Sequence, residues 1–433
     1  MHLRSSAIPI AFIISLLFAA PGYALDTSLQ QGAPEDVGIS SQGLEKITRA
    51  FLKETAEKRL PGAVVLVARD GKIIYAGTFG SLKPGASAPM PKDAIFRIYS
   101  MTKPLMSVGL MLLVEDGLVE LTDPVSKFLP AFKDMQVVAA DGTIVPAARP
   151  IIVQDLLRHT AGLAYGEITK SQTVKDAFMA SGLMKSDIEY DARDLTAAEE
   201  VERLAKIPLI NQPGTAWEYS LAVDVQGRII EAVTGKRAGD FLAERIFKPL
   251  RMDDTGFYVP EAKLSRLAGP FDVDPASGKS FPMIDVSKVP GNDSGGAGAV
   301  STASDYLRFC QMLANGGTLD GARIMSPSTV KLMTSDHLAT LASNPQAPGE
   351  LLLGSKGYTF GLGFAVRLAD GIAAVPGSAG EYMWAGYGGT YFWVDPRERL
   401  VAVYMTQAPS PIRSYYRKLL KQLVYQAIVT LRD

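Results

Sequence analysis

Runs of β-branched and aromatic residues stand near both ends of this chain, with a long, mainly helical stretch between them. Near the start, Ala63-Val-Val-Leu-Val-Ala-Arg-Asp-Gly-Lys-Ile-Ile-Tyr-Ala-Gly77 reads as a hairpin, two apolar runs flanking an Asp70-Gly71 turn. Strand signals return only late, at Thr359–Leu368, at Tyr391-Phe-Trp-Val-Asp395 and at Leu400-Val-Ala-Val-Tyr-Met405. From about 118 to 290 the pattern is helices and long loops, including Ile152–Arg158, Ala197–Lys206 and Leu221–Thr234, separated by Pro- and Gly-rich breaks. Further helices are expected at Ser41–Glu57 and at about Pro411–Leu431, the last with apolar positions at Ile412, Tyr415, Leu419, Leu423 and Ala427. Elements in this order predict an α+β fold. One antiparallel sheet is built from both termini and flanked by helices, and a mainly helical subdomain is inserted in the middle. The sheet lobe would take about 25–100 and 290–433, the helical lobe about 101–289, with a site between them.

The stretch Phe96-Arg-Ile-Tyr-Ser-Met-Thr-Lys-Pro-Leu-Met106 carries the sharpest chemical signal. Pro104 has no N–H and fits a helix only in its first turn, so a helix running to about Glu115 and stopped by Gly117 starts near Ser100. Leu105, Met106, Val108, Leu110, Met111, Leu112 and Val114 make it apolar nearly all round, which predicts a buried helix. The i,i+3 spacing puts the Ser100 hydroxyl and the Lys103 amine on one face, beside the positive end of the helix. A hydroxyl, an amine one turn on and a positive helix end suit acyl transfer through a covalent ester. A lysine at an apolar helix start is costly without a task. The second Ser-x-x-Lys, Ser328-Thr-Val-Lys331, follows Pro327 and reads as a helix cap with a solvated lysine.

The 433 residues are 47% apolar and 21% charged with a net charge of −1, an ordinary globular composition that, without a basic run, gives no support to nucleic-acid binding. Residues 1–24 read as a secretory signal: Arg4, an apolar core from Ile8 to Ala20, and Gly22-Tyr-Ala24 at the cleavage site. That core is too short to span a bilayer, so the expectation is a secreted or periplasmic protein with no stable membrane insertion. Cys310 is the one cysteine, placed by helical spacing on an apolar face, and no intrachain disulfide is available. After signal removal His159 and His337 are the histidines, no cluster has metal-ligand spacing, and neither a metal nor a cofactor is expected.

A Ser-His-Asp hydrolase is disfavoured. Gly-x-Ser-x-Gly is absent, and Asn292-Asp-Ser294-Gly-Gly is better read as a Gly-rich turn than as a nucleophile region. Tyr219 stands just before a helix, after a Pro213-Gly214 break, where it could project into a cleft. Glu381-Tyr-Met-Trp384-Ala-Gly386-Tyr-Gly-Gly389 precedes an apolar strand, and its glycines would let a ligand approach the backbone. His159 is read as structural, ordering a loop, and the segment from about 164 to 195 as bordering the cleft.

These stretches occur in a familiar order. With Leu121-Thr-Asp-Pro-Val, Asp155-Leu-Leu-Arg-His-Thr-Ala-Gly-Leu163, Pro213–Ser220, Gly227-Arg-Ile-Ile-Glu, Gly295–Thr302 and Tyr391–Pro396, the chain resembles the serine β-lactamase-like superfamily, and within it class C β-lactamases and family VIII carboxylesterases. The resemblance covers nearly the whole mature chain and implies a β-lactamase/transpeptidase-like fold. By position it makes Ser100 the nucleophile, Lys103 its partner in deprotonation and Tyr219 the proton relay to the leaving group. The backbone N–H groups of Ser100 and Tyr387 would form the oxyanion hole, and Tyr99, Leu221, Trp384 and Gly386 would contact substrate. Two departures matter. Leu221 stands where β-lactamases carry the Asn of Tyr-x-Asn, and Trp384 where they carry the Lys of Lys-Thr-Gly. Neither can serve a β-lactam's amide or carboxylate. The expectation is therefore a serine hydrolase of small, short-chain carboxylic esters, with room for weak cephalosporin hydrolysis. The alternatives are a class C-like β-lactamase or D-Ala-D-Ala carboxypeptidase, and a non-enzymatic penicillin-recognition domain.

Overall fold

The computed structural model describes residues 29–85, 88–184, 192–341 and 347–432. The signal segment 1–24, and part of the stretch expected to border the cleft, lie outside the described residues.

Seven strands form the main sheet: β1 (Gly62–Arg69), β2 (Lys72–Gly80), β3 (Tyr358–Phe360), β4 (Ala365–Arg367), β5 (Tyr382–Ala385), β6 (Tyr391–Asp395) and β7 (Leu400–Thr406). Their order is β2-β1-β7-β6-β5-β4-β3, every pair antiparallel, so N-terminal and C-terminal strands meet at the β1–β7 seam. Asp70 and Gly71 both have positive φ (52° and 74°), which gives the tight β1–β2 hairpin its turn. Among the described residues the longest helices are α1 (Ser41–Ala56), α2 (Thr102–Glu115), α3 (Ala222–Thr234), α4 (Ala303–Ala314) and α5 (Arg413–Tyr425).

The sheet is covered on both faces, which is why β1, β6 and β7 are buried at every residue instead of alternating. Register fixes the sides. Tyr404 pairs with Tyr391 and packs on Phe51 of α1, while Phe392 pairs with Val403 and packs on Tyr306 of α4. Because successive residues of a strand face opposite ways, α1 and α4 lie on opposite faces. Cys310 of α4 is fully buried in this core.

The helix expected from Pro104 and Gly117 is present. A 3₁₀ turn at Tyr99–Met101 leads into α2, which is buried from Thr102 to Leu113 and ends before Gly117 (φ 70°). Three expectations need correction. Thr359–Leu368 is a hairpin, not one strand: Phe360 pairs with Ala365 across a turn that holds Gly363 at φ 100°. At the second Ser-x-x-Lys the capping side chain is Ser326, which accepts from the Thr329 N–H, while Ser328 lies inside the first turn and Lys331 is exposed. The C-terminal helix stops at Tyr425, because the chain then turns to hydrogen-bond Gly38 through the Val429 N–H. Its buried face is Tyr416, Arg417, Leu420, Lys421 and Val424. Tyr415, taken from the apolar spacing, is 48% exposed; two buried cations conceal the true stripe.

Candidate active site

Ser100 sits in the 3₁₀ turn before α2, and the turn is unusual. Tyr99 is held in the left-handed region at φ 45°, a conformation that costs an aromatic residue free energy and persists where its surroundings impose it. Its hydroxyl accepts from the Ile284 N–H at 3.0 Å and its ring meets Tyr387 edge-on at 5.4 Å. Ser100 is thereby presented to a cleft of about 240 Å³ whose walls include Tyr99, Tyr165, Ile168, Ile284, Leu351, Leu352 and Ala385–Tyr387.

Two polar side chains meet at Ser100 Oγ. The Tyr219 hydroxyl donates to Ser100 Oγ at 2.5 Å, and Lys103 Nζ donates to the same oxygen at 3.2 Å. Lys103 is 1% exposed, and its three N–H donors reach Ser100 Oγ, the Tyr165 hydroxyl at 2.9 Å and the Gly296 carbonyl at 2.8 Å. Its Nζ also lies over the Tyr219 ring, 4.6 Å from the centroid. Lys103 is thus held by the Gly296 carbonyl, the Ser100 and Tyr165 hydroxyls and the faces of two tyrosine rings.

Tyr165 was not found from sequence. It lies two residues after the Asp155–Leu163 stretch, in an irregular segment read only as bordering the cleft, without periodicity to single it out. Burial, then the charges of Tyr219 and Asp224, push its pKa well above the ordinary tyrosine range, so it faces Lys103 as a neutral phenol. Asp224 of α3 was missed as well. Its Oδ1 accepts from Ser294 Oγ at 2.7 Å and from the Gly296 N–H at 3.1 Å, fixing the turn whose Gly296 carbonyl holds Lys103. A Cβ on Gly296 would lie 2.3 Å from Asp224 Oδ2, so only glycine fits there. Ser294 is thus bound to a carboxylate within a Gly-rich turn, as the sequence suggested.

Tyr219 is positioned by aromatic packing. Its ring meets His159, Tyr165, Trp217 and Trp384 at centroid distances of 5.3, 5.3, 6.4 and 5.5 Å. His159 is buried, shares a hydrogen bond with Ser220 Oγ at 3.1 Å, and its carbonyl accepts from the Glu218 N–H at 2.9 Å. Burial, then the Lys103 charge, push its pKa well below the ordinary histidine value. It braces the Tyr219 loop.

The expected substrate contacts divide. Tyr99 and Gly386 line the cleft. Trp384 and Leu221 do not: Trp384 is 1% exposed with its ring packed between Phe360 and Tyr219, and Leu221 is fully buried at the start of α3. Trp384 therefore supports Tyr219 from behind, because strand alternation turns it away from Ala385, which does face the cleft. The reason for Gly386 also changes. A Cβ there would come 2.2 Å from the Ile98 carbonyl, so the missing side chain lets β5 close onto the Tyr99–Ser100 segment rather than onto a ligand. This contact brings the segments carrying the Ser100 and Tyr387 N–H groups together. The stretch expected to border the cleft supplies Tyr165, Glu167 and Ile168.

A family model described as Beta-lactamase matches residues 44–425. Esterase EstB of Burkholderia gladioli is 31% identical over 371 residues, 81% of this chain and 86% of EstB. Protein Rv1367c of Mycobacterium tuberculosis is 33% identical over 369 residues, 83% of this chain and 89% of its own length. Among solved structures, EstCE1, described as a hydrolase with promiscuous acyltransferase activity, is similar with a TM-score of 0.74 and 28% identity, covering 89% of this chain and 99% of that one.

Proposed function

Because this chain belongs to the Beta-lactamase family, whose esterase and acyltransferase members place it among hydrolytic and acyl-transfer enzymes, we propose that it is a serine carboxylesterase acting on short-chain esters through an acyl-enzyme on Ser100. One observation carries the reading: the Ser100 hydroxyl, at the cleft wall, is within hydrogen-bond distance of both Lys103 Nζ and the Tyr219 hydroxyl. In the reactive form the Lys103–Tyr219 pair carries one proton fewer, so the Tyr219 oxygen, held beside Lys103, accepts the Ser100 proton as Oγ attacks the ester carbonyl. The carbonyl oxygen, now an anion, lies between the Ser100 and Tyr387 N–H groups, each such donor typically contributing about 3 kcal/mol of barrier lowering. Collapse breaks the C–O bond, and the alkoxide leaves with a proton from Tyr219. Water, deprotonated by the same pair, then attacks the acyl carbonyl and frees Ser100.

The cleft is small, with apolar walls interrupted by Glu167, Arg413 and Arg417, and its size supports short acyl groups. Trp384, turned into the core, supplies no cation where a β-lactamase would hold a substrate carboxylate. The apolar run after Arg4 supports export to the periplasm or beyond. Ser100→Ala should abolish turnover of p-nitrophenyl butyrate, and retention of most activity would sink the assignment. Nitrocefin turnover equal to that on the ester would favour a β-lactamase or D-Ala-D-Ala carboxypeptidase instead.

A further inference from the structure

The Gly386 carbonyl and the Tyr387 N–H belong to one peptide unit, and that carbonyl accepts from Arg417 Nη2 at 2.6 Å and from the Gly389 N–H at 3.1 Å. We propose that Arg417 is a positioning residue for the oxyanion hole, its guanidinium holding and polarising the Gly386–Tyr387 peptide so that the Tyr387 N–H binds the charge that develops on the ester carbonyl. The proposal rests on the acyl-enzyme reading of Ser100.

Arg417 occupies a place that is unfavourable for a cation on every other count. It is 2% exposed. It stands early in α5, near the positive end of the helix, and four residues after Arg413 on the same face. Burial, then the Arg413 charge, push its pKa below the ordinary arginine range. Among the described residues it makes no ion pair. Nη1 reaches only the Leu352 carbonyl, at 3.3 Å, and Nε has no hydrogen-bond partner. Tying α5 to the sheet would need one neutral donor, and a buried unpaired charge is a poor way to supply it.

An oxyanion at the far side of the peptide changes the balance. A charged donor at the C=O end draws electron density through the amide and strengthens the N–H as a donor, since hydrogen bonds in series polarise one another. Cation, peptide dipole and oxyanion then lie in one favourable line inside a cleft of low dielectric. The interaction exists only once the oxyanion forms, so it should act on kcat rather than on KM.

Arg417→Met, Arg417→Lys and Arg417→Gln should be assayed with p-nitrophenyl butyrate, a neutral ester with no carboxylate for the guanidinium to bind. Butylboronic acid, whose tetrahedral adduct on Ser100 places an oxygen in the oxyanion hole, gives the second readout. Arg417→Met is expected to lower kcat about tenfold, a fraction of the effect of deleting an oxyanion donor outright. KM should stay within about twofold, the boronate should weaken by about the same factor as kcat, and Arg417→Lys should recover most of the loss. In a Tyr387→Pro background, which lacks the N–H, Arg417→Met should bring no further loss. If Arg417→Met does not fold, Arg417→Gln against Arg417→Lys carries the same comparison. A raised KM with unchanged kcat, unchanged boronate affinity, or full additivity with Tyr387→Pro would overturn the proposal. Those results with an inactive Ser100→Ala would remove only the role of Arg417; an active Ser100→Ala would remove the acyl-enzyme reading itself.

Discussion

Replacing His159 by asparagine should flatten the acid side of this protein's stability profile by an amount that follows from the histidine's surroundings. The ring is 1% exposed, packed against Trp217, Tyr219 and Phe360, with Lys103 as the nearest charge that opposes its protonation. Its backbone is in the left-handed region at φ 56°, which asparagine tolerates better than most residues. In the unfolded chain His159 titrates near pH 6.5, and in the folded chain well below that. The unfolded state therefore binds the extra proton first, and stability falls as pH drops through about 6.5 toward the folded value. By pH 5.5 the loss from this group alone is RT ln(1 + 10), about 1.4 kcal/mol, whereas at pH 7.5 it is near zero. Asp305 works in the opposite sense, since burial pushes it up to about 6, but it is common to both chains and drops out of the difference. The assay is equilibrium urea unfolding of wild type and His159→Asn, followed by tryptophan fluorescence at pH 7.5, 6.5 and 5.5. Asparagine will cost about 2 kcal/mol at pH 7.5 through lost packing. That gap should narrow by about 1.4 kcal/mol at pH 5.5. A gap that stays constant or widens would refute the claim that the folded state excludes the proton.

Other perturbations separate the parts of the site. Tyr219→Phe keeps the ring contacts and removes only the hydroxyl on Ser100 Oγ, so kcat on p-nitrophenyl butyrate should fall by about 10² or more with the melting temperature little changed; a kcat within tenfold of wild type would exclude Tyr219 as the proton relay. Gly386→Ala drives a methyl against the Ile98 carbonyl and should cost about 10- to 100-fold in kcat by moving the Tyr387 N–H away from Ser100, and a crystal structure showing no such shift would contradict the steric account. Asp224→Ala leaves the Ser294 hydroxyl and the Gly296 N–H without their buried acceptor, so calorimetry should show a loss of about 2–4 kcal/mol; a loss below about 0.5 kcal/mol would mean the turn does not depend on Asp224.

Where local rules and tertiary packing agree, the chain announces its structure. Asp70-Gly71 specifies a hairpin turn through positive φ, and Pro104 with Gly117 brackets α2. The collinear motifs around Ser100, Tyr219 and Trp384-Ala-Gly386 marked the site. What stayed hidden was hidden for physical reasons. Tyr165 reaches Lys103 from an irregular segment just after the Asp155–Leu163 stretch, where the neighbourhood was legible but no periodicity shows which side chain turns inward. Asp224 sits on a helix where a carboxylate ordinarily reads as a solvated face; only the fold brings Ser294 and Gly296 to it. Arg417 and Lys421 put charge inside α5, so apolar periodicity pointed one residue off the buried face. Trp384 reads as cleft wall in the sequence because motif position gives a neighbourhood but not a direction, and direction came from the β5 pleat.

The central claim is a covalent ester on Ser100. Its most direct measurement is intact-protein mass spectrometry after brief mixing with p-nitrophenyl butyrate, with peptide mapping and a parallel cephalosporin sample. The account predicts a butyryl adduct on the peptide containing Ser100 that forms and decays at rates consistent with turnover. Ester turnover without that adduct under rapid quench, or a long-lived cephalosporin adduct with no ester turnover, would contradict it.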